Sequence, residues 1–351
     1  MDNQVDRRRL LGGAIAFIAT GICPVMRSMA YANSAESSAN TTLFKKTEVI
    51  DLLVHDLSSA KQQWKKILEA EPIAMPQEFG TPDMKAVHFP AGPELKNGMY
   101  SFGLFQADPK VSERATLLGL LVYDLDKAIA VLKSRGIQFD MEQPRPYASG
   151  RGITTAPING FQFWLAQHNT DGYETWARLP HEPWPTTPSW GPQGFKRVLS
   201  VGLAVKNLPQ AINNYEKFLG TPPVPQQTDL YAARNVFSDF EVAHFDLPGV
   251  ETDLQALGLY QIKTQSPSTP VGKSVKRFLD AGGEGAFMIG ILVDKANEAQ
   301  RALQERGIKF LNERPQGYAA GRMNITEPIT GVMCAIVEQS PDAYRRWKGA
   351  R

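Results

Sequence analysis

The sequence predicts an α+β protein in which four βαβββ modules pair into two curved-sheet domains. One observation is the stretch 198–220, which reads as a short apolar strand followed by an amphipathic helix. Asn207 stands where a helix N-cap belongs, and Gly220 stands at a C-terminal stop. Alternation along the strand places Val201, Leu203 and Val205 against the helix, and Ser200, Gly202 and Ala204 on the opposite face.

The second observation is that this unit occurs four times. Val54 and Trp64 match Val205 and Tyr215 at a constant shift of 151 positions (205 − 54 = 151). Two further units, which begin at Leu118 and Ile289, match each other at a shift of 171 positions (289 − 118 = 171). The order A-B-A′-B′ indicates a duplicated pair of modules. The second and fourth units also share a loop, in which Tyr147, Gly150 and Arg151 match Tyr318, Gly321 and Arg322.

These motifs resemble a known family. The strand ending in V-x-D/N-L, the helix A-x-x-x-Y/W and the closing L-G are similar to the vicinal oxygen chelate superfamily, which includes glyoxalase I, extradiol dioxygenases and bleomycin-resistance proteins. The run from Lys133 to Gly160 resembles the second half of such a module. The resemblance covers about residues 45–340. It implies two glyoxalase-like curved-sheet domains, each around a concave site.

The N-terminus is typical of an export signal. Three arginines at 7–9 precede an apolar run at 12–25 and a small-x-small site, Ala30-Tyr31-Ala32. The paired arginines before Leu10-Leu11 favour twin-arginine export, with cleavage after Ala32, a periplasmic or secreted protein, and the twin-arginine machinery as a partner. The alternatives are an ordinary secretory signal or a retained anchor.

The remaining segments follow from composition. Residues 33–44 form a polar tail that we expect to be disordered, and residues 341–351 form a C-terminal tail. The predicted domains are 45–168 and 196–340. Between them, residues 169–195 form a strap rich in Pro and Trp, which covers a cup mouth or seals the domain interface.

Charge and cysteine content exclude several classes of function. The formal net charge is +2, and three arginines lie in the predicted signal peptide, so the mature chain is close to neutral. Nucleic acid and, after signal cleavage, a membrane surface are therefore not expected partners. Cys23 lies in the signal and Cys334 stands alone, so no internal disulfide is expected. A homodimer is left open.

Strand alternation selects the candidate site of the first half. Asp51 and His88 fall on the concave side of their strands, where they would do acid/base work. Arg151 would hold an anionic oxygen, and Tyr147 and Trp164 would line the pocket. The alternatives are a solvated aspartate on an edge strand, a structural histidine repeated by duplication, and an arginine that stacks on the preceding tyrosine.

The second half offers a more apolar concave surface. Its polar ligand-binding candidates are Ser200, His244, Tyr318 and Arg322. An apolar surface with a few convergent polar groups suits a small organic ligand. Apolar residues expected on the same side are Phe287, Ile289 and Ala335.

The resemblance also implies metal ligands, but the matching positions of this sequence carry other residues. The usual histidine falls on Val49, Leu117, Ser200 and Phe287, and the usual glutamate falls on Trp164 and Ala335. We therefore expect no metal site and no cofactor, although a divalent metal held by displaced ligands such as Asp51, His88 and a nearby Glu or Gln is not excluded.

The sequence thus predicts an exported glyoxalase-like enzyme that acts on a small aromatic or oxo compound by metal-independent acid/base isomerase or lyase chemistry. One alternative is a non-catalytic protein that binds or sequesters a small molecule, as bleomycin-resistance proteins do. The other is a metal-dependent dioxygenase or lyase with displaced ligands.

Overall fold

The computed structural model describes residues 43–74, 85–90, 101–147, 150–169, 195–224, 236–247, 256–318 and 321–340. The predicted signal peptide, residues 170–194 of the strap and the C-terminal tail lie outside these ranges. Within them, no helix has both the length and the apolar character needed to span a membrane.

The first two modules fold as the repeat predicts. Each begins with a long strand and a helix and continues with three shorter strands. The first contains β1 (Phe44–Val54), α1 (Leu57–Leu68), β2 (Ile73–Ala74), β3 (Ala86–Pro90) and β4 (Ser101–Gln106), and the second contains β5 (Arg114–Val122), α2 (Leu125–Ser134), β6 (Arg145–Tyr147), β7 (Gly150–Thr154) and β8 (Gln162–His168).

The fourth module repeats the pattern, whereas the third has two described strands after its first helix and then an extra helix. The third contains β9 (Phe195–Ala204), α3 (Leu208–Leu219), β10 (Phe240–Asp246), β11 (Ala256–Ile262) and an extra helix, α4 (Pro270–Gly282). The fourth contains β12 (Gly285–Val293), α5 (Ala296–Glu305), β13 (Gln316–Tyr318), β14 (Gly321–Ile325) and β15 (Met333–Gln339). Sequence reasoning missed α4, which starts at the N-cap Thr269 with a proline in its first turn.

All the strands form one mixed sheet. Within a complete module the first strand pairs with the fourth, the fourth with the third, and the third with the second. First strands pair antiparallel, β1 with β5 and β9 with β12. The sheet therefore has a first half-sheet (β1–β8) and a second half-sheet (β9–β15), joined where Ala115 of β5 pairs with Ala286 of β12. The predicted fold class is confirmed.

Local signals explain the helices. The side chains of Asp56, Asp124 and Asn207 each accept a hydrogen bond from a backbone N–H of the first turn, at 3.0 Å. Gly220 closes α3 in the left-handed conformation, at φ 76°. The N-cap and stop predicted at Asn207 and Gly220 are therefore both present.

The helix-facing residues of both half-sheets form one hydrophobic core, which includes Leu52, Leu120, Leu203 and Ile291. Phe218 of α3 contacts Phe163 of β8 at 4.2 Å between ring centroids, so this helix packs on the other half-sheet as well as its own. Because apolar residues of both half-sheets are buried in the same core, each half-sheet stabilises the other.

Two equivalent contacts tie the halves together. Trp64 on α1 donates a hydrogen bond to the Thr330 side chain at 2.9 Å, and Tyr215 on α3 donates one to the carbonyl of Ile158 at 3.0 Å. Trp64 and Tyr215 are the positions that the 151-residue shift matches, so the duplication extends to the contacts between the halves.

The opposite face of the sheet, turned away from α1, α2, α3 and α5, is here called the open face. In the second half-sheet a separate buried cluster covers this face, and Val271 and Val275 of α4 belong to it. The extra helix therefore closes part of the open face in the second half.

Two strand predictions need correction. β1 begins at Phe44, which is buried, so the last residue of the predicted tail belongs to the sheet. Ile289 packs in the helix-facing core and Met288 takes the open face, because the pairing of β12 with β9 shifts between Ala286 and Met288. A bulge of this kind reverses the alternation of side chains.

Candidate functional site

The centre of the open face in the first half-sheet is a row of three residues on adjacent strands. Asp51 on β1 and His88 on β3 both stand opposite Gly103 on β4, which runs between them. The Cα atoms of Asp51 and His88 are therefore about 10 Å apart, two strand spacings. A Cβ at Gly103 would overlap Asp51 Oδ1, so the carboxyl group lies over the glycine. Glycine at this position therefore leaves room for the Asp51 carboxyl group and the ring of Phe105.

The Asp51 carboxyl group is desolvated. Its Oδ1 is buried and has no hydrogen-bond partner among the described residues. Burial, reinforced by the negative charge of Glu48, raises the pKa of Asp51 to about 8. Ordinary surface aspartates ionise near pH 4, so Asp51 is mainly protonated at neutral pH and titrates close to it.

The imidazole of His88 is held neutral. Burial lowers the pKa of His88 to about 4, because the charged form loses its hydration. Its ring contacts the edge of Phe105 at 5.7 Å between centroids. A neutral imidazole keeps one N–H donor and one acceptor nitrogen, so it can donate a hydrogen bond to a carbonyl oxygen.

A buried pair of a glutamate and a histidine stands next to this row. Glu48 Oε1 lies 2.5 Å from His168 Nε2, and both side chains are largely buried. Sequence reasoning missed this pair, because Glu48 falls at an irregularity between Thr47 and Val49 in the pairing of β1 with β5. The position of His168 could have been predicted, since it stands four residues after Trp164 on the same strand and so on the same face.

Aromatic rings line the other side of the first half-sheet's open face. Trp164 lies over Gly152 of β7, where a Cβ would overlap the indole. Tyr147 contacts both Trp164 and His168, at 5.9 and 6.1 Å between ring centroids. Burial, with a further effect of the Glu48 charge, raises the pKa of Tyr147 above its ordinary value, so the hydroxyl stays protonated. The structure therefore places both predicted lining residues on this face.

Arg151 does not belong to this site. Its guanidinium makes two hydrogen bonds to the Asp126 carboxylate of α2, at 3.1 and 2.7 Å, and one to Gln167. Along β7, Gly150 and Gly152 take the open face, so the intervening Arg151 points to the helices. The prediction that Arg151 holds an anionic oxygen in the pocket is wrong in its placement.

The second half-sheet repeats the row with different chemistry. His244 on β10 and Gly202 on β9 both stand opposite Gly258 on β11, so Gly202 takes the place of Asp51. His244 Nε2 lies 3.3 Å from the hydroxyl of Tyr260. Burial lowers the pKa of His244 to about 3. This row has no carboxylate, so it cannot supply the acid/base pair of the first half.

A cavity of ≈ 70 Å³ lies over the second row. Ser200 and His244, both predicted from the sequence, line it together with Met288, Met323 and Ala335. Its surface is mainly apolar, as the sequence predicted for this half.

The remaining two candidates of the second half lie elsewhere. Arg322 is exposed and pairs in register with Glu338, while its neighbour Met323 takes the open face. The prediction that Arg322 binds a ligand in the cup is therefore wrong in its placement, for the same reason of alternation as for Arg151. The Tyr318 backbone pairs with Gly321 at the end of β13, and its side chain lies outside the described residues.

The metal that the family resemblance implies does not fit the residues present. On the first half-sheet the expected ligand positions are Val49, Leu117 and Trp164, which carry no donor suited to a transition metal. On the second they are Ser200, Phe287 and Ala335, and Met288 lies beside Phe287 in the cluster on the open face. In the part of the chain that the structure describes, no three His, Cys, Asp or Glu side chains converge into a metal-binding group.

Comparison with known proteins shows the fold. No protein-family model and no curated protein sequence matches the chain. A triple mutant of 4-hydroxymandelate synthase from Streptomyces coelicolor superposes with a TM-score of 0.62 at 14% identity, covering 85% of this chain and 93% of its own. An Mn(II)-bound glyoxalase from Novosphingobium aromaticivorans superposes with a TM-score of 0.54 at 13% identity, covering 84% of this chain and 82% of its own.

Both similar structures have the vicinal oxygen chelate fold. The chain therefore has the glyoxalase-like fold of that superfamily, and the resemblance found in its motifs is confirmed at the level of fold. At these identities the comparison carries no substrate and no metal over to this chain.

Proposed function

We propose that the protein is a metal-independent, glyoxalase-like isomerase or lyase that moves a proton at a carbon next to the carbonyl group of a small aromatic or oxo compound. The observation that supports this most strongly is the Asp51–Gly103–His88 row. It places a desolvated carboxyl group and a neutral imidazole two strands apart on the same face, with glycine at the position between them.

Asp51 is the base in this proposal. Its carboxylate removes the proton from the carbon, and the electron pair of the broken C–H bond moves toward the carbonyl oxygen. His88 donates a hydrogen bond to that oxygen as its negative charge develops. Return of the proton to a neighbouring carbon completes an isomerisation, whereas departure of a leaving group with the electron pair completes an elimination.

The pKa values suit these roles. A base is most effective when its pKa lies near the working pH, and Asp51, with a pKa of about 8, meets this condition better than an ordinary aspartate. A histidine with a pKa of about 4 stays neutral, so it polarises a carbonyl group without competing for the proton. Tyr147 and Trp164 offer aromatic surfaces for a ring in the substrate.

The experiment follows hydrogen exchange, which needs no known product. The purified chain is incubated in D₂O with a panel of aryl ketones, aryl α-keto acids and β-keto esters, and deuterium at carbon is followed by NMR. Enzyme-dependent incorporation into one class is expected, with a loss of at least about 100-fold in Asp51→Asn and about 10-fold or more in His88→Gln. Arg151→Gln is the matched control and retains the wild-type rate. Full exchange in Asp51→Asn would refute the proposal.

The pH dependence separates the two roles that Asp51 could take. If Asp51 is the base, the exchange rate rises with pH as its carboxyl group ionises and levels off above about pH 8. A rate that instead falls through the same range would make protonated Asp51 the acid, and would contradict the assignment of His88 as a hydrogen-bond donor.

Binding without chemistry is the second candidate function. The mainly apolar cavity of the second half-sheet favours it, because that cavity holds a polar pair but no carboxylate. Saturable binding of compounds from the same panel, with neither exchange nor product, would favour sequestration over catalysis.

We also infer that the protein is exported and acts in the periplasm or outside the cell. The supporting feature is the arginine-rich, apolar N-terminal segment that ends at Ala32. Mass spectrometry of the mature chain is expected to find Asn33 at its N-terminus, and replacement of Arg8 and Arg9 by lysine is expected to retain the precursor in the cytoplasm. A full-length N-terminus on the mature protein would contradict this inference.

A further inference from the structure

The cavity of the second half-sheet is built differently from the site of the first. Gly202 and Gly258 stand side by side beneath it, where the first half-sheet has Asp51 and Gly103. A Cβ at Gly202 would come within 3.1 Å of Met288 and 3.2 Å of Tyr260. The absence of side chains at these two positions therefore leaves room for the Tyr260 ring and the Met288 side chain, which line the cavity.

The cavity surface carries no formal charge. Its thirteen lining residues include no Lys, Arg, Asp or Glu, and Arg197, which is buried on the same strand as Gly202, is not among them. The polar groups at the cavity are Ser200, His244 and Tyr260. An ion placed there would lose its hydration without an opposite charge to replace it, so the chemistry selects against charged ligands.

The size of the cavity limits the ligand. Space of ≈ 70 Å³ holds roughly five water molecules, at about 10–15 Å³ for each. A six-membered ring fits only if part of it extends through the partly open side. Met288 and Met323 on the walls have flexible, polarisable side chains, which adapt to a planar ring.

We propose that this cavity is a second ligand site, separate from the Asp51 site, which binds a small uncharged ring compound through apolar contact and one hydrogen bond to the His244–Tyr260 pair. Phenols, cyclic ketones and benzylic alcohols belong to this class. The proposal extends the binding candidate given above, and it is independent of the chemistry assigned to Asp51. Deuterium exchange reports on the first half-sheet, whereas the methionine methyl groups described next report on the second.

The test uses the full mature chain labelled with ¹³C at the methionine methyl groups. Phenol, benzyl alcohol and cyclohexanone are titrated in, with benzoate and benzylammonium as charged compounds of similar shape. The neutral compounds are expected to shift the methyl resonances of Met288 and Met323 in a saturable way, with a Kd between about 10 µM and 10 mM. The charged compounds are expected to bind at least about tenfold more weakly, and Met141 in the other half serves as the reference.

Two variants test the position of the site. Ala335→Leu fills the cavity and is expected to abolish the shifts. The double variant His244→Phe, Tyr260→Phe keeps both rings but removes both hydrogen-bonding groups, and it is expected to bind phenol no better than toluene. Arg322→Gln, on the other face of the sheet, is the matched control and binds phenol as the wild type does. If Ala335→Leu fails to fold, as judged by circular dichroism, Gly202→Ala replaces it and is expected to weaken binding at least about tenfold.

Three results would overturn the proposal. The first is that no compound shifts Met288 or Met323. The second is that benzoate or benzylammonium binds as well as phenol. The third is that the shifts persist unchanged in folded Ala335→Leu or Gly202→Ala.

Discussion

Replacement of Asp51 by asparagine is expected to stabilise the protein, although it removes the proposed catalytic base. The native state holds this carboxyl group with a pKa of about 8, whereas a free aspartate has a pKa of 3.8. Between these two pH values the unfolded chain carries the ionised form and the native state carries the protonated form. Ionisation of Asp51 therefore lowers the free energy of unfolding. This destabilisation is absent below about pH 4, grows between pH 4 and pH 8, and is constant above pH 8.

The magnitude follows from the shift. Each pH unit between the two pKa values changes the free energy of unfolding by about 1.36 kcal/mol. Asparagine is neutral at every pH and resembles the protonated acid in shape, so it does not have this cost. The free energy of unfolding of Asp51→Asn is therefore expected to rise relative to that of the wild type by about 2–3 kcal/mol between pH 5 and pH 7. The difference levels off above about pH 8.

Urea unfolding of both proteins at pH 5, 7 and 8.5, followed by tryptophan fluorescence and circular dichroism, measures this difference. Asp126→Asn is the control, because that carboxylate is largely exposed in its pair with Arg151 and its loss is expected to cost under about 1 kcal/mol. A difference between wild type and Asp51→Asn that does not change with pH would mean that Asp51 ionises with an ordinary pKa, and would refute the reasoning.

Three further predictions concern the row, the join between the halves and the metal. Gly103→Ala places a Cβ against the Asp51 carboxyl group and 2.8 Å from Phe105, so the rate of deuterium exchange is expected to fall at least about tenfold. Gly317→Ala is the control, because its Cβ meets no atom within 4 Å and the exchange rate is expected to stay unchanged. Trp64→Phe removes the 2.9 Å hydrogen bond to Thr330 and part of a buried ring, so urea unfolding is expected to show a loss of about 1–3 kcal/mol; no loss would contradict the role given to this contact. Mass spectrometry of protein purified without chelator is expected to find transition metal well below one equivalent, and a stoichiometric metal would contradict metal-independent chemistry.

The fold could be predicted from the sequence because its signals are local and repeated. Asn207 and Gly220 mark the start and the end of one helix. The fixed shifts of 151 and 171 positions then predict the matching elements of the other three modules. The helix α4 was missed because it has no counterpart in the other modules and so no repeat to mark it.

The site could be predicted only where strands are regular. Alternation placed Asp51 correctly, because the helix-facing Ile50 and Leu52 on either side of it are both fully buried. The irregularity beside Glu48 reversed the alternation there, and such bulges depend on pairing between distant strands, which one sequence does not display. Arg151 was misplaced because its residue type suggested anion binding, whereas its position between two glycines of β7 determines its face.

The most direct test of the central claim is an infrared titration of the Asp51 carboxyl group. The carbonyl-stretch band of protonated carboxylic acid is followed from pH 5 to pH 10 in D₂O, and the spectra of Asp51→Asn are subtracted to isolate this one group. We predict a band that disappears with a pKa of about 8. A difference spectrum with no protonated acid at pH 6 would show that Asp51 is an ordinary carboxylate, and would contradict its assignment as a base tuned to neutral pH.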